Sequence, residues 1–426
     1  MNEQAHLTRA QLKTIVLDQQ ADLAALPRGV TREKLPELVT LFQTPQVVIV
    51  QGVRRCGKST LFTQLIDHLR LDPVHYLNFE DERLISFSVS HFAMLQEIFY
   101  EINGEGGVYF FDEIQEVDDW ERFIRRLHNA GEKVLIAGSN ATLLSQELGS
   151  KLTGRHVDLI LYPFSYREYL AYCQLPTAWH ADTKSKSRQL GAFHDFLRDG
   201  GMPIYLENKH QSILNNLYED IISRDILQRY QIDNPKLFKQ LSLYLLSNCA
   251  SMVSAQKLKT AFGLGSVNTI IKYLGYLENC YLFFLLPQFF PALRKQMNAQ
   301  KKIYSICNAF IDKIGFHVHD HNSVMLENLI FLHLNERFQH VFYYKTQQGL
   351  EVDFLAYDQV NDLNLYQISW SIADPKTRER ETKALWQAMD ELNLKKAWIL
   401  TESEENVFEQ DGKTIQVLPV CQCLLT

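Results

Sequence analysis

Val47-Val48-Ile49-Val50-Gln51-Gly52-Val53-Arg54-Arg55-Cys56-Gly57-Lys58-Ser59-Thr60 is an apolar run that leads directly into a glycine-rich turn and then a helix-forming segment. From Gly52 to Ser59 it matches G-x-x-x-x-G-K-[ST] without a mismatch, with a buried strand before it and an amphipathic helix after it. The spacing has a chemical reason. Glycines let backbone N–H groups wrap phosphate oxygens, and the N-terminus of the following helix adds partial positive charge. Lys58 is placed to bridge the β- and γ-phosphates of ATP, and Ser59 to give its hydroxyl oxygen to Mg²⁺. Val53, Arg54, Arg55, Cys56 and Thr60 complete the cradle. A chance glycine-rich turn would share the letters but not the context.

Further short β-branched or aromatic runs lie at residues 74–79, 108–111, 134–137 and 157–161. Helical patterns at 60–70, 91–102, 120–129 and 141–148 separate them, and a mostly helical stretch precedes residue 45. Strands alternating with helices at this spacing predict an α/β fold, a parallel sheet covered on both faces. It closes near Tyr162-Pro163. The run Val108-Tyr109-Phe110-Phe111 ends in Asp112-Glu113, which puts Asp112 in position for the Mg²⁺ shell and Glu113 for polarising the attacking water. Adjacent acids are otherwise a solvated strand end; an upstream phosphate loop favours the catalytic role. The next strand ends in Gly138-Ser139-Asn140, where Asn140 is able to sense the γ-phosphate, cap a helix, or do both. Arg155, just before the fifth strand, is either a surface residue or one offered to a neighbouring subunit's nucleotide.

Composition bounds the rest. The chain has 426 residues, enough for about three domains, and its 46% hydrophobic content excludes disorder. Forty-three basic residues against 50 acidic ones give a net charge of −7, so any nucleic-acid surface must be local. The seven cysteines are dispersed and form no C-x-x-C pair, which argues for reduced thiols. The start, MNEQAHLTRA, lacks a signal-peptide core, and the apolar stretch at 281–290 spans about ten residues, too short for a bilayer. The expectation is a cytoplasmic protein without a membrane span.

Downstream, the polar stretch 180–188 reads as a surface loop, Gly200-Gly201-Met202-Pro203 as a sharp turn, and 211–230 as a helix with Leu214, Leu217, Ile221 and Ile222 inward. A small helical lid fits there. Residues 251–287 read as helix, Gly-containing turn, helix and strand, with Ser254 and Ser266 as N-caps. From residue 322 a helix is followed by strand runs at 341–344, 352–356, 365–369 and 397–401.

The sequence resembles the prokaryotic AAA-type (AAA+/ASCE) P-loop ATPases that carry a C-terminal domain of degenerate nuclease type. The matching stretches include the phosphate loop, Asn78-Phe79-Glu80-Asp81, Phe111 to Gln115, Gly138 to Asn140, Leu152-Thr153-Gly154-Arg155, Pro163-Phe164-Ser165, Gly200 to Pro203, Ile221 to Asp225, Leu326-Glu327-Asn328 and Glu351 to Phe354. The resemblance implies an ATPase core with its N-terminal helical extension over 1–165, a helical lid over 166–240, a winged helix over 241–305 and a nuclease-like α/β domain over 306–426. It favours Arg155 as an arginine finger and hence a homo-oligomer. It also suggests Met202 and Pro203 as adenine contacts, with a purely structural turn equally good. Arg224 either reaches the phosphates from the lid or pairs with Asp220 one turn earlier; the pairing is slightly favoured.

In the winged-helix segment, Val267, Ile270, Ile271, Leu274 and Leu277 read as the inward face of the second helix. Asn268, Thr269 and Lys272 then form the outward face that a recognition helix turns to a major groove. Residues 251–302 hold seven basic residues (Lys257, Lys259, Lys272, Arg294, Lys295, Lys301, Lys302) against the single acid Glu278. Packing or self-association is the alternative use of such a segment.

A nuclease of the PD-(D/E)-x-K type needs an acid on a helix, an Asp on one strand and an E-x-K triplet on the next. Glu327 and Asp353 fit the first two places, with Glu351 on the same strand face as Asp353. The third place reads Gln367-Ile368-Ser369, so nuclease activity is expected to be absent. The functional expectation is a Mg²⁺-dependent ATPase that cycles between ATP and ADP and binds duplex or branched DNA as an oligomer. The alternative is a STAND-like nucleotide-gated switch that binds a protein partner without DNA-coupled turnover.

Overall fold

The computed structural model describes residues 7–140, 154–179, 182–317, 321–359 and 362–425. The chain divides into two compact units, Met1–Tyr162 with Asn279–Tyr281, and Pro163–Glu278 with Leu282–Thr426. The segments 141–148 and 152–153 lie outside the described residues.

The first unit is a five-stranded sheet. Its strands are β1 (Val47–Gln51), β2 (Val74–Asn78), β3 (Val108–Asp112), β4 (Lys133–Gly138) and β5 (His156–Ile160), in the order β2-β3-β4-β1-β5 and all parallel. β1 and β3 are buried at every position, because helices cover both faces. On one face α1 (Arg9–Ala25), α4 (Phe92–Asn103) and α5 (Trp120–Asn129) enclose Ile49, Tyr109, Phe111 and Ile136. On the other, α3 (Lys58–Leu69) sets Phe62 edge-on to Phe110 with ring centroids 5.1 Å apart. The short α2 (Leu35–Phe42) packs beside α3. Since β4 lies between β1 and β3, the phosphate loop and the end of β3 flank its C-terminal end.

The second unit begins with helices α6 (Tyr166–Tyr172), α7 (Thr183–Asp199), α8 (Pro203–Asn208) and α9 (Gln211–Asp220), then a π-helical segment Ile221–Leu227 and α10 (Pro235–Ser247). Of the surface loop expected at 180–188, the described residues 182–188 are instead the start of α7, capped by the Asp182 side chain on the Ser185 N–H. Its first turns are polar, and the apolar period becomes legible only with Ala192, Phe193, Phe196 and Leu197, all buried. The single helix expected over 211–230 is also interrupted. The wide π turn sends Asp225 inward to Arg229, while Arg224 lies 3.5 Å from Asp220, the favoured pairing.

The turn before α8 is tightly built. A Cβ on Gly201 would lie 2.1 Å from the Phe164 carbonyl oxygen, and Gly201 itself accepts the Phe164 N–H at 2.7 Å. Gly201→Ala is expected to destabilise the protein by at least about 2 kcal/mol, read as a lower denaturant midpoint.

A three-stranded antiparallel sheet follows, β6 (Met252–Val253), β7 (Phe283–Leu286) and β8 (Lys301–Ser305), in the order β6-β8-β7. Helices α11 (Ala255–Ala261) and α12 (Val267–Asn279) connect β6 to β7, and α13 (Leu293–Asn298) lies in the β7–β8 connection. α14 (Asn308–Ile314) and α15 (Asn322–Arg337) lead to a mixed six-stranded sheet. Its strands β9 (His340–Lys345), β10 (Glu351–Tyr357), β11 (Asn364–Ile368), β12 (Lys396–Thr401), β13 (Asn406–Gln410) and β14 (Lys413–Pro419) run β13-β14-β12-β11-β10-β9. Helix α16 (Pro375–Leu392) buries Leu385, Ala388 and Met389 against Leu355, Ile399 and Val417. A final turn, α17 (Val420–Cys423), ends the described chain. No helix among the described residues is long and apolar enough to cross a membrane.

Candidate nucleotide site

Every residue of this site belongs to the first unit. Gly57 is the N-cap of α3 with φ +101°, a left-handed conformation that glycine adopts without strain. Gly52 is required for a different reason: a Cβ there would meet the Leu161 carbonyl oxygen at 2.2 Å. Directly after Gly57, Lys58 is buried and its Nζ donates to the Gly52 and Val53 carbonyls at 3.0 and 3.3 Å. Its ammonium lies 3.6 Å from Glu113.

The strand order brings two further ends to the loop. Ser59 Oγ donates to Asp112 Oδ2 at 2.5 Å, so a hydroxyl from α3 and a carboxylate from β3 converge, the oxygen pair a hard dication takes. Burial first, and the neighbouring Glu113 second, push the Asp112 carboxyl up to about 6. A carboxylate desolvated in this way favours a bound cation. Burial would raise Glu113 as well, but Lys58, Arg54 and hydrogen bonds hold it below the usual carboxylate range. Glu113 has a left-handed φ of +50° and accepts the Ser139 N–H and O–H at 3.2 and 3.1 Å. A non-glycine residue in that region stores about 1–3 kcal/mol and marks a position the surrounding structure dictates. Gln115 donates to the same carboxylate. Asn140, next along the chain, is fully buried. Arg155 precedes β5 at the sheet edge, its carbonyl accepting the Val47 N–H at 2.9 Å.

Three contributors escaped the sequence reading. Arg32, buried in the segment before α2, donates to the carbonyls of Cys56 at 2.7 Å and Tyr162 at 2.6 Å, clamping the loop from outside. Tyr76 on β2 stands against Asp112 and Ser59, and burial followed by the Asp112 charge raises its phenol well above the ordinary value. Glu80 pairs with Arg54 of the loop. Only Glu80 carried a sequence signal, as part of Asn78-Phe79-Glu80-Asp81; nothing local distinguishes Arg32 or Tyr76.

In the second unit, Met202 is fully buried and Pro203 opens α8. On α12, Asn268 and Lys272 are exposed and Thr269 is half-buried. Ile271, expected inward, is 56% exposed, and Tyr273 takes the buried position instead. Lys302, counted among the basic surface residues, is buried at 4% exposure among Glu327, Glu351 and Asp353. Gln367 accepts the Asp353 N–H at 3.2 Å and donates to Glu381 at 2.7 Å, while Ser369 donates to the Ser371 carbonyl.

A phosphate loop, a hydrogen-bonded Ser–Asp pair and a strand-end glutamate on a β2-β3-β4-β1-β5 sheet define an AAA-type P-loop domain. The AAA domain family matches residues 44–170, and two domains of unknown function, DUF8612 and DUF4143, match residues 190–309 and 323–423. The uncharacterized protein MJ1544 of Methanocaldococcus jannaschii is 31% identical over 401 residues, covering 89% of this chain and 88% of that one. The chain belongs to the same family. An uncharacterized Haemophilus influenzae protein is 29% identical over 93% of this chain and 98% of its own. Among solved structures, the Walker-type ATPase PABY2304 of Pyrococcus abyssi aligns with a TM-score of 0.44 at 14% identity, over 66% of this chain and 95% of that one.

Proposed function

We propose that this protein is a Mg²⁺-dependent ATPase that works as an oligomer and couples turnover to DNA. The observation that carries the reading is the convergence of Lys58, Ser59, Asp112 and Glu113 at the end of one sheet. Ser59 and Asp112 would hold the Mg²⁺ that supplies positive charge to the phosphates. Lys58, already desolvated, turns its ammonium from the Gly52 and Val53 carbonyls toward phosphate oxygens. Glu113, kept ionised by its neighbours, accepts the proton of the attacking water. Asn140 senses the γ-phosphate, and Arg155 serves a neighbouring subunit's nucleotide.

The order α10-β6-α11-α12-β7-α13-β8 supports a winged helix, with α12 as the recognition helix and Asn268, Thr269 and Lys272 facing DNA. The mixed sheet behind α15 supports a nuclease-like fold without nuclease activity, since Gln367 and Ser369 replace the acid and the lysine. The segment 166–240 is the lid in this reading.

The test is ATP hydrolysis with and without duplex, single-stranded and four-way-junction DNA, at low and moderate salt. Stimulation by at least one form is expected. Lys272→Glu should weaken a DNA mobility shift and lower the slope of log affinity against log salt by about 1. Hydrolysis indifferent to every DNA, with no salt-sensitive shift, would exclude the coupled reading. One observation favours a second reading, the STAND-like switch with a protein partner: Ile271, Leu293 and Met297 are large apolar side chains left exposed on α12 and α13.

A further inference from the structure

The three-carboxylate cluster of the second unit has a cation already in it. Lys302 on β8 places Nζ 2.9 Å from Glu327 Oε1 on α15, 2.8 Å from Glu351 Oε1 and 3.2 Å from Asp353 Oδ1, both on β10. An ammonium has three N–H donors, and each has its own carboxylate oxygen here. The surrounding bonds hold the acids in place. Tyr304 donates to Glu327 at 2.7 Å, and Asp353 accepts the Ile368 N–H at 2.9 Å with its other oxygen. Lys345 lies 3.7 Å from the outer oxygen of Glu351.

We propose that Lys302 is the resident cation of a latent divalent-metal site: its ammonium fills the point where carboxylates from a helix and a strand converge, and excludes a metal ion. The oxygens stand 2.8–3.2 Å from the nitrogen, whereas Mg²⁺ and Ca²⁺ draw oxygens to about 2.0–2.6 Å. Among the described residues no group of three or more His, Cys, Asp or Glu is arranged to hold a metal as it stands. A single positive charge also leaves the acids in excess. A dication would satisfy that excess better than an ammonium, so the lysine must be removed before one enters.

The experiment is Mn²⁺ binding by electron paramagnetic resonance on the full chain without nucleotide, in an Asp112→Asn background that removes the other metal-binding carboxylate. With Lys302 present, no Mn²⁺ is expected to bind at the cluster. Lys302→Met is expected to create one site at least tenfold tighter than any weak binding of the parent, and adding Asp353→Asn should abolish it. Mn²⁺ should raise the thermal midpoint of the Lys302→Met protein but not that of its parent. Should Lys302→Met alone fail to fold, Lys302→Met/Glu351→Gln removes one acid with the cation and is titrated in its place. Mn²⁺ binding by the Lys302 protein that Asp353→Asn abolishes would overturn the proposal. Failure of both Lys302→Met variants to gain a site would overturn it equally.

Discussion

Lys58→Ala is expected to abolish measurable nucleotide binding and to lower ATP hydrolysis by at least about 10²–10³-fold, the range seen when one preorganised charge donor is removed. Lys58 is almost fully buried, and its ammonium is held by two carbonyls of the loop and the Glu113 carboxylate. In the proposed site it would meet the phosphates already stripped of water, which makes the charge worth far more than on a surface. The substitution removes that charge and leaves Glu113 without its main counter-ion. The glutamate carboxyl then titrates upward, so the proposed general base is weakened together with the binding site. Fluorescent-nucleotide titration and phosphate release measure the two losses. Retention of wild-type affinity in a folded Lys58→Ala protein would remove the loop from the site.

Glu113→Gln should separate the same two quantities. The amide keeps the size of the side chain and one acceptor for the Ser139 N–H and O–H, so nucleotide affinity is expected to change by no more than a few-fold. Hydrolysis should fall by about 10²–10⁴-fold, because the amide cannot take a proton from water. The left-handed backbone at Glu113 is fixed by its pairing with β4 through the Ala137 carbonyl at 2.8 Å, and this does not depend on the side chain. Equal hydrolysis by Glu113→Gln and wild type would assign the glutamate to structure and not to chemistry.

Much of this was legible in local sequence. The five strands of the first unit follow the apolar runs to within about two residues, the usual fraying of element ends. Ser254 caps its helix at the Lys257 N–H, as its position in the sequence indicates. Two of the elements that were missed share one cause. α7 opens with Thr183-Lys184-Ser185-Lys186, and β8 opens with Lys301-Lys302, so polar side chains hid a helix and a strand. A charged residue is read as solvated unless a partner is visible, and the partners of Lys302 lie 25, 49 and 51 positions away. Ile271 was misplaced by the opposite assumption, that an apolar residue at helical spacing faces inward. Its side chain is 56% exposed and belongs with Leu293 and Met297 to the apolar surface of α12 and α13.

By itself, the sequence determined the chemistry that depends on spacing along the backbone. A phosphate loop is a continuous run, and Asp112-Glu113 is marked by the apolar strand that carries it, so both are local facts. The tertiary structure alone decided which distant groups meet. The strand order, with β4 between β1 and β3, joins Ser59 to Asp112 and Glu113 to Ser139. Folding of the N-terminal segment brings Arg32 to the Cys56 carbonyl, and the join of β8 to α15 and β10 seats Lys302 among three acids. Such contacts arise from packing between elements far apart in the chain, and no pattern within either element records its partner.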